Sequence, residues 1–349
     1  MSFIRVIKPG LLTTIQDRGR FGYQQWGIPV AGAMDEYALR IANLLVGNPE
    51  GEACLEITLL GPTLEFQAEG VIALTGADLG ARLNGQDLPL WQALQVQKGD
   101  KLEFTGVKAG CRAYLAVAGG FEVPVVMGSK STYVRGQIGG FAGRSLRKGD
   151  EIGIRVPRVD LRRLINRTVP REYRYEFTNP ILVRVVLGPQ DDAFTEDGIR
   201  TFLEGQYQVT NEADRMGYRL DGPKIQHKTS PDIISDGIVM GSIQVPGHGL
   251  PIIMMADRQT TGGYTKIATV ITADLNKIAQ AKPGDAIRFQ AVSIEEAHEI
   301  YRAYEEKIRN VKDKFIFAQK EPFTSKKGLK RTMRIWVNGT EYIVEIERL

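Results

Sequence analysis

Val123 to Thr132 reads V-P-V-V-M-G-S-K-S-T, and Leu250 to Gln259 reads L-P-I-I-M-M-A-D-R-Q. Each is a short apolar run of strand length that ends in charged and polar residues. Three more pairs of blocks keep the same order. L-L-G-P-T-L-E-F (59–66) answers V-L-G-P-Q-D-D-A-F (186–194), and A-D-L-G-A-R-L-N-G (77–85) answers A-D-R-M-G-Y-R-L-D-G (213–222) with one inserted residue. R-K-G-D-E-I (147–152) answers K-P-G-D-A-I (282–287), so the four offsets fall between 127 and 136 residues. A period this long means a duplicated domain and not a solenoid. Two related units follow, about 55–156 and 181–292.

Short strands separated by Gly, Pro and Asn-Gly turns fill both units. Examples are V-I-A-L-T-G (71–76), K-L-E-F (101–104) and R-A-Y-L-A-V-A-G-G (112–120). Asn84-Gly85 is a hairpin signal, because both residues tolerate positive φ. The pattern predicts a mainly β chain of barrels or sandwiches with a few peripheral helices. One helix is expected from Met34 to Val46, with Ala38, Ile41, Ala42 and Leu45 on one face. A second, about 294–313, opens on the capping box Ser293–Glu296 and is expected to pack on the second unit. Before the first helix, T-T-I-Q-D-R-G-R-F-G-Y-Q-Q-W-G-I-P-V-A-G-A-M-D (13–35) reads as a loop, too polar and too interrupted for a core element. Its Asp17, Arg18 and Arg20 either bind an anion or pair with one another. Residues 157–180, rich in Arg with Pro170 and Pro180, read as a solvated linker. The domain reading is thus 1–156, a linker at 157–180, 181–314, and a tail at 315–349. That tail is a basic segment (Lys320 to Arg331) followed by a hairpin turning at Asn338-Gly339.

Composition excludes several classes. The 349 residues suffice for two or three domains, are 43% hydrophobic and 25% charged, and carry a net charge of only +4. With no long basic run, nucleic-acid binding has little support. Two cysteines and three histidines, without paired ligand spacing, argue against a disulfide framework and a metal site. Neither a signal peptide nor a membrane span is legible, so a cytoplasmic chain is expected.

The chemistry concentrates after the apolar run Leu250–Ala256. There Asp257, Arg258, Gln259, Thr260 and Thr261 arrive together, followed by Gly262-Gly263 and Tyr264. One carboxylate, one guanidinium, an amide and two hydroxyls suit a polar small molecule. The alternative is a hydrogen-bonded turn in which Asp257 caps backbone amides and Arg258 is a surface charge. The first-unit counterpart carries Lys130 with Ser131 and Thr132. It is not a phosphate loop, since Ser129 and Pro124 stand where that motif needs glycine. Asp257 is the candidate to accept or position a proton, and Lys130 the candidate to stabilise charge on a carbonyl oxygen.

Several motifs together carry a family resemblance. They are Q-D-R-G-R-F-G-Y (16–23), G-A-M-D (32–35), L-V-G-N-P (45–49), Y-L-A-V-A-G-G (114–120), G-S-K-S-T-Y (128–133), D-R-M-G-Y-R-L (214–220), I-Q-V-P (243–246) and D-R-Q-T-T-G-G-Y (257–264). The chain resembles, over about residues 3–292, the family of allophanate hydrolase subunit 2 and urea carboxylase. That biotin-dependent carboxyltransferase-like family also takes in the C subunit of the bacterial ATP-dependent 5-oxoprolinase and the Kip antagonist protein. The resemblance implies two tandem cyclophilin-like β-barrel domains. It also implies a smaller cyclophilin-like partner and, in the oxoprolinase, a lactam-hydrolysing partner. The implied activity is ATP-dependent opening of 5-oxo-L-proline to L-glutamate by the complex, with this chain inactive alone. The alternatives are transfer of a carboxyl group from carboxybiotin to urea or another amide, and a regulatory role that sequesters an inhibitor of a sporulation kinase. Each enzymatic version must polarise an amide carbonyl, which extends the candidate pocket to Arg215 and Gln244. The tail M-R-I-W-V-N-G-T-E-Y-I-V-E-I (333–346) resembles the opening hairpin of a biotin carrier without its biotin-accepting Met-Lys-Met. The chain is therefore not expected to carry biotin; its tail either binds a biotinylated partner or is a remnant or an accessory hairpin.

Overall fold

The computed structural model describes residues 2–174, 176–317, 331–337 and 340–346. Two sheets enclose the core of the first unit. One runs, edge to edge, Glu151–Gly153, Phe3–Lys8, Thr63–Phe66, Lys101–Phe104, Ala81–Leu83 and Gln86–Asp87. The other runs Leu12–Gln16, Cys54–Thr58, Ala109–Val117, Gly70–Asp78 and Ala93–Val96. Strand alternation decides what faces inward: Ile4 and Val6 are buried while Phe3 and Arg5 are not. Ile4, Ile57, Leu64, Leu74, Leu102 and Leu115 meet in one apolar core. The strands Gly70–Asp78 and Ala109–Val117 are buried along nearly their whole length. Helix α1 (Glu36–Leu45) covers their other face, and a sheet covered on both faces loses its polar alternation. Asn84 and Gly85 take φ of 51° and 79°, the turn that their sequence signals.

The second unit is a closed barrel. Its strands run Ile181–Leu187, Lys266–Val270, Ser242–Gln244, Ile252–Met254, Gly217–Asp221, Tyr207–Val209 and Ala286–Ala291. The ring closes where Ile181–Leu187 pairs in parallel with Ala286–Ala291. Val183, Tyr207, Ile243, Ile253, Ile267 and Phe289 fill it. Helices α2 (Glu196–Glu204) and α3 (Leu275–Gln280) flank the ring. The duplication therefore yields two β units, as expected from the repeated blocks.

Three local expectations change. Thr13 to Gln16 is not loop: Leu12–Gln16 is a buried strand paired with Cys54–Thr58. Most of its polar side-chain atoms are bonded; Thr13, for instance, donates to the Pro9 carbonyl at 2.8 Å, while Gln16 Oε1 is left buried without a partner. The segment 157–180 does not span solvent. Leu164 and Val169 are 1% and 0% exposed, and Arg167–Thr168 pairs with Ile316–Phe317. Helix α4 (Ile294–Lys314) opens on the expected capping box, Ser293 Oγ accepting from Glu296 N–H at 3.1 Å and Glu296 accepting from Ser293 N–H at 2.8 Å. However, it packs mainly on α1 of the first unit. Tyr304 meets Tyr37 at 5.7 Å between ring centres, Ile308 and Val311 join the α1 core, and Arg40 donates to Glu305 at 2.6 Å. Ser293→Ala removes one of the two reciprocal bonds and is expected to cost about 1 kcal/mol in denaturant unfolding.

In the tail, Arg331–Val337 and Thr340–Ile346 form an antiparallel pair. Their turn, Asn338-Gly339, and most of the basic segment before them lie outside the described residues. Among the described residues no helix is long and apolar enough to cross a membrane, and no cluster of three or more His, Cys, Asp or Glu side chains is arranged to hold a metal. Cys54 and Cys111 are buried thiols, not a disulfide.

Candidate active site

The end of Ile252–Met254 is fastened to the turn 214–217, because Asp257 N–H donates to the Arg215 carbonyl at 2.8 Å. That brings the side chains of Asp257 and Arg215 together. Arg215 forks onto Asp257, Nε to Oδ2 at 3.1 Å and Nη2 to Oδ1 at 2.8 Å, a bidentate pair that fixes the carboxylate plane. The same guanidinium crosses to the first unit, where Nη1 donates to Glu56 and Nη2 to the Gly32 carbonyl at 2.7 Å. Burial alone would lower the Arg215 pKa, but Asp257 and Glu56 raise it. Burial likewise pushes the Glu56 carboxyl up; Arg215 and Arg112, with donors from Met34 and Tyr114, hold it below the usual glutamate value.

The network continues from Glu56. Its Oε2 accepts from Tyr114 at 2.7 Å, and the Tyr114 oxygen accepts from Asp35 N–H at 2.8 Å. Asp35 caps α1 through Ala38 N–H at 2.9 Å and accepts from Gln280 of the second unit at 2.7 Å. Gln280 Oε1 in turn accepts from the Cys111 and Arg112 N–H groups, both at 3.0 Å. Both units therefore hold Asp257 in place.

Beside Asp257, Arg258 is 8% exposed, so it is not a surface charge. Among the described residues it pairs with no carboxylate, and it is held by the carbonyls of Ile238 (3.0 Å) and Met255 (3.3 Å). Burial drives its pKa down to about 10 against the opposing pull of Asp257. Gln259 Oε1 is buried with no hydrogen-bond partner. Gln244 keeps one long bond, Nε2 to the Tyr264 carbonyl at 3.4 Å. Gly262 sits against this group: a Cβ there would lie 2.5 Å from Ile238 Cδ1 and 2.8 Å from Gln244 Nε2. Thr260 accepts from Ile238 through its carbonyl, while Thr261 and Tyr264 lie on the exposed strand Thr261–Tyr264. That strand pairs with Asp232–Gly237 as a ribbon outside the barrel.

The first-unit candidates are arranged differently. Asp17 sits inside the loop 129–131 and accepts from Ser129 Oγ (2.7 Å), Lys130 N–H (2.6 Å) and Ser131 Oγ. Thr132 donates its hydroxyl to the Ile15 carbonyl at 2.9 Å. Lys130 Nζ reaches Glu52 at 2.6 Å and the Phe121 carbonyl at 3.3 Å, and no hydrogen bond or ion pair joins it to Asp257. Lys130→Ala is expected to lower the melting temperature by loosening Glu52. Turnover measured alongside assigns Lys130 a part in the chemistry only if it falls further than the fraction unfolded.

Two residues escaped the sequence reading. Glu56 is one, although an acid inside the apolar strand C-L-E-I-T was a signal. Lys266, 2% exposed within K-I-A-T-V, is another; it donates to Asp236 at 2.7 Å and so pins the outer ribbon to the barrel. Arg20, expected either to bind an anion or to pair with Asp17 or Arg18, makes no ion pair with Asp17 and does not reach solvent. It is fully buried, bonded to the Val126 and Ser131 carbonyls at 3.1 and 2.8 Å, with Nη1 unpartnered. Burial lowers its pKa, opposed by Asp17 and Asp257.

Comparison with known proteins agrees with this architecture. A family model described as the carboxyltransferase domain, subdomain A and B, matches residues 26–291. The chain is 40% identical over 294 residues to the 5-oxoprolinase C subunit of Escherichia coli K12, covering 84% of this chain and 93% of that protein. It is 39% identical to the 5-oxoprolinase C subunit of Haemophilus influenzae, covering 86% and 96%. Among solved structures, the urea amidolyase of K. lactis superposes with a TM-score of 0.83 at 32% identity, covering 90% of this chain but only 21% of that much longer one. By these matches, and by two β units joined through Arg215, the chain belongs to the carboxyltransferase-domain family of subdomains A and B.

Proposed function

We propose that this chain is the C subunit of a 5-oxoprolinase, one component of a complex that opens 5-oxo-L-proline to L-glutamate with hydrolysis of ATP. The observation that carries the reading is the unspent hydrogen-bonding capacity around Asp257. A cyclic amide offers one carbonyl acceptor and one N–H donor. Arg258 has guanidinium N–H groups free of any carboxylate, and Gln259 Oε1 is a buried acceptor without a donor. Buried polar groups left unpaired are rare enough to call for a function, and this donor and acceptor complement an amide edge. Donation from Arg258 to the lactam oxygen stabilises the charge that gathers there as the carbonyl is attacked. Asp257, fixed by Arg215, keeps further lone pairs to position the attacking nucleophile or take its proton.

ATP is assigned to a partner. The loop 129–131, the nearest thing to a phosphate cradle, already spends its donors on the Asp17 carboxylate. The residues there do not fit a nucleotide, and no step on this chain runs through one. The partners proposed are a smaller cyclophilin-like protein and a lactam-hydrolysing protein. A second reading, carboxyl transfer to urea from a biotinylated partner, has the likeness to urea amidolyase in its favour and uses the same amide-binding edge.

The test is glutamate release from 5-oxoproline and ATP by the co-expressed partners, with and without this chain. Turnover that requires the chain supports the reading. Turnover indifferent to it sinks the reading, and binding of the smaller partner without any effect on rate favours a regulatory antagonist.

A further inference from the structure

A cleft of about 740 Å³ lies away from Asp257. It opens between the two units and is closed by the segment 173–182 and by α4. Its volume falls within the range of sites for small organic ligands, and its lining mixes flat apolar surface with a few charges. Tyr173, Phe177, Ile300 and Tyr304 supply the apolar wall. Gly110 forms part of the wall under Phe177, where a Cβ would approach that ring to 2.6 Å.

The charges in the cleft are unequal. Arg184 and Lys277 both pair with Asp274, at 2.6 and 3.1 Å, and Lys282 pairs with Asp285 at 2.6 Å. Glu176 is engaged by Arg171 at 3.2 Å. Lys307 has no such partner among the described residues. Its ammonium lies 5.8 Å from the centre of the Tyr37 ring and 5.6 Å from that of Tyr173. Aromatic faces hold a cation in place but accept none of its three N–H bonds as a carboxylate or phosphate oxygen would. Burial lowers the Lys307 pKa, with Glu172 opposing, so an anion here would relieve an existing electrostatic cost.

We propose that this cleft is a second ligand site, separate from the amide-binding edge, for an organic anion that carries a flat ring system. The ring lies on Tyr173, Phe177 and Tyr304, and the acidic group lies on Lys307. An occupant also rests against Gln280, the far end of the hydrogen-bond network that holds Asp257.

The test is a fluorescence titration of the full chain with 1-anilinonaphthalene-8-sulfonate, which has fused rings and one sulfonate. The expected result is saturable one-to-one binding. Lys307→Glu should weaken it by about tenfold or more, the scale of one charge-assisted hydrogen bond. Ile300→Trp, which fills the apolar wall and leaves the charge, should weaken it too. Thermal melts of both variants confirm that each is folded. Unchanged affinity in either folded variant, or emission that never saturates, overturns the proposal.

Discussion

Arg215→Met is expected to destabilise the chain by about 3–5 kcal/mol, the cost of stranding buried charge when one partner of an internal ion pair is removed. Glu56 and Asp257 are 1% and 8% exposed, and both lean on this one guanidinium. The change keeps much of the side-chain volume, so the loss isolates the charge from the packing. Its pH dependence has a definite sign. In the native chain the Glu56 carboxyl is held below its ordinary value of 4.5, so its contribution is complete at neutral pH and is lost as pH falls through the folded value. Without Arg215, only Arg112 and the donors from Met34 and Tyr114 oppose the burial of that carboxyl, so its pKa rises from the native position. The variant's deficit should then shrink toward about pH 5 and widen toward about pH 8, where the unpaired carboxylate must stay ionised. Urea unfolding of both proteins at the two pH values measures this. An equal deficit at both would mean that Arg215 acts by packing.

Asp257→Asn is expected to reduce glutamate formation by the reconstituted complex by about 100-fold or more, the range of a positioned proton-transfer group. Asparagine is the informative change because Asp257 also belongs to the buried ion pair. Alanine would remove the carboxylate and the Arg215 contact together, confounding catalysis with folding. The amide keeps the shape and one oxygen for Arg215, while Glu56 retains its own bond to the same guanidinium. Turnover and a melting curve on one preparation separate the two effects. A folded Asn variant with native turnover would take Asp257 out of the chemistry and leave it a strut between the units.

What was legible in the sequence was local or periodic. Repeated blocks announced two β units, Asn84-Gly85 its turn, and Ser293 with Glu296 the start of α4, because each rests on residues a few positions apart or on a pattern that recurs. The misreadings have one physical origin, polar groups satisfied at long range. Thr13 to Gln16 looks too polar for a strand, yet Gln16 finds the Thr132 carbonyl at 3.0 Å, across 116 positions. Helix α4 follows the second unit in the chain but packs on the first, and nothing local reveals that Arg40, 265 positions away, meets Glu305. At the candidate site, composition pointed to Asp257 and Arg258. Glu56, which anchors the Arg215 that grips Asp257, lies in the other unit, and nothing local in the sequence joins the two.

The two copies of the duplicated block differ in sign at one matched position: Lys130 stands in the first where Asp257 stands in the second. Each is tucked under an opposite charge, Glu52 in one case and Arg215 in the other. Both pairs are internal to their own half, so each charge is neutralised where it stands and the two halves reach the same local balance with opposite signs. One loop position thus accepts either charge, provided that its own neighbourhood supplies the counter-ion.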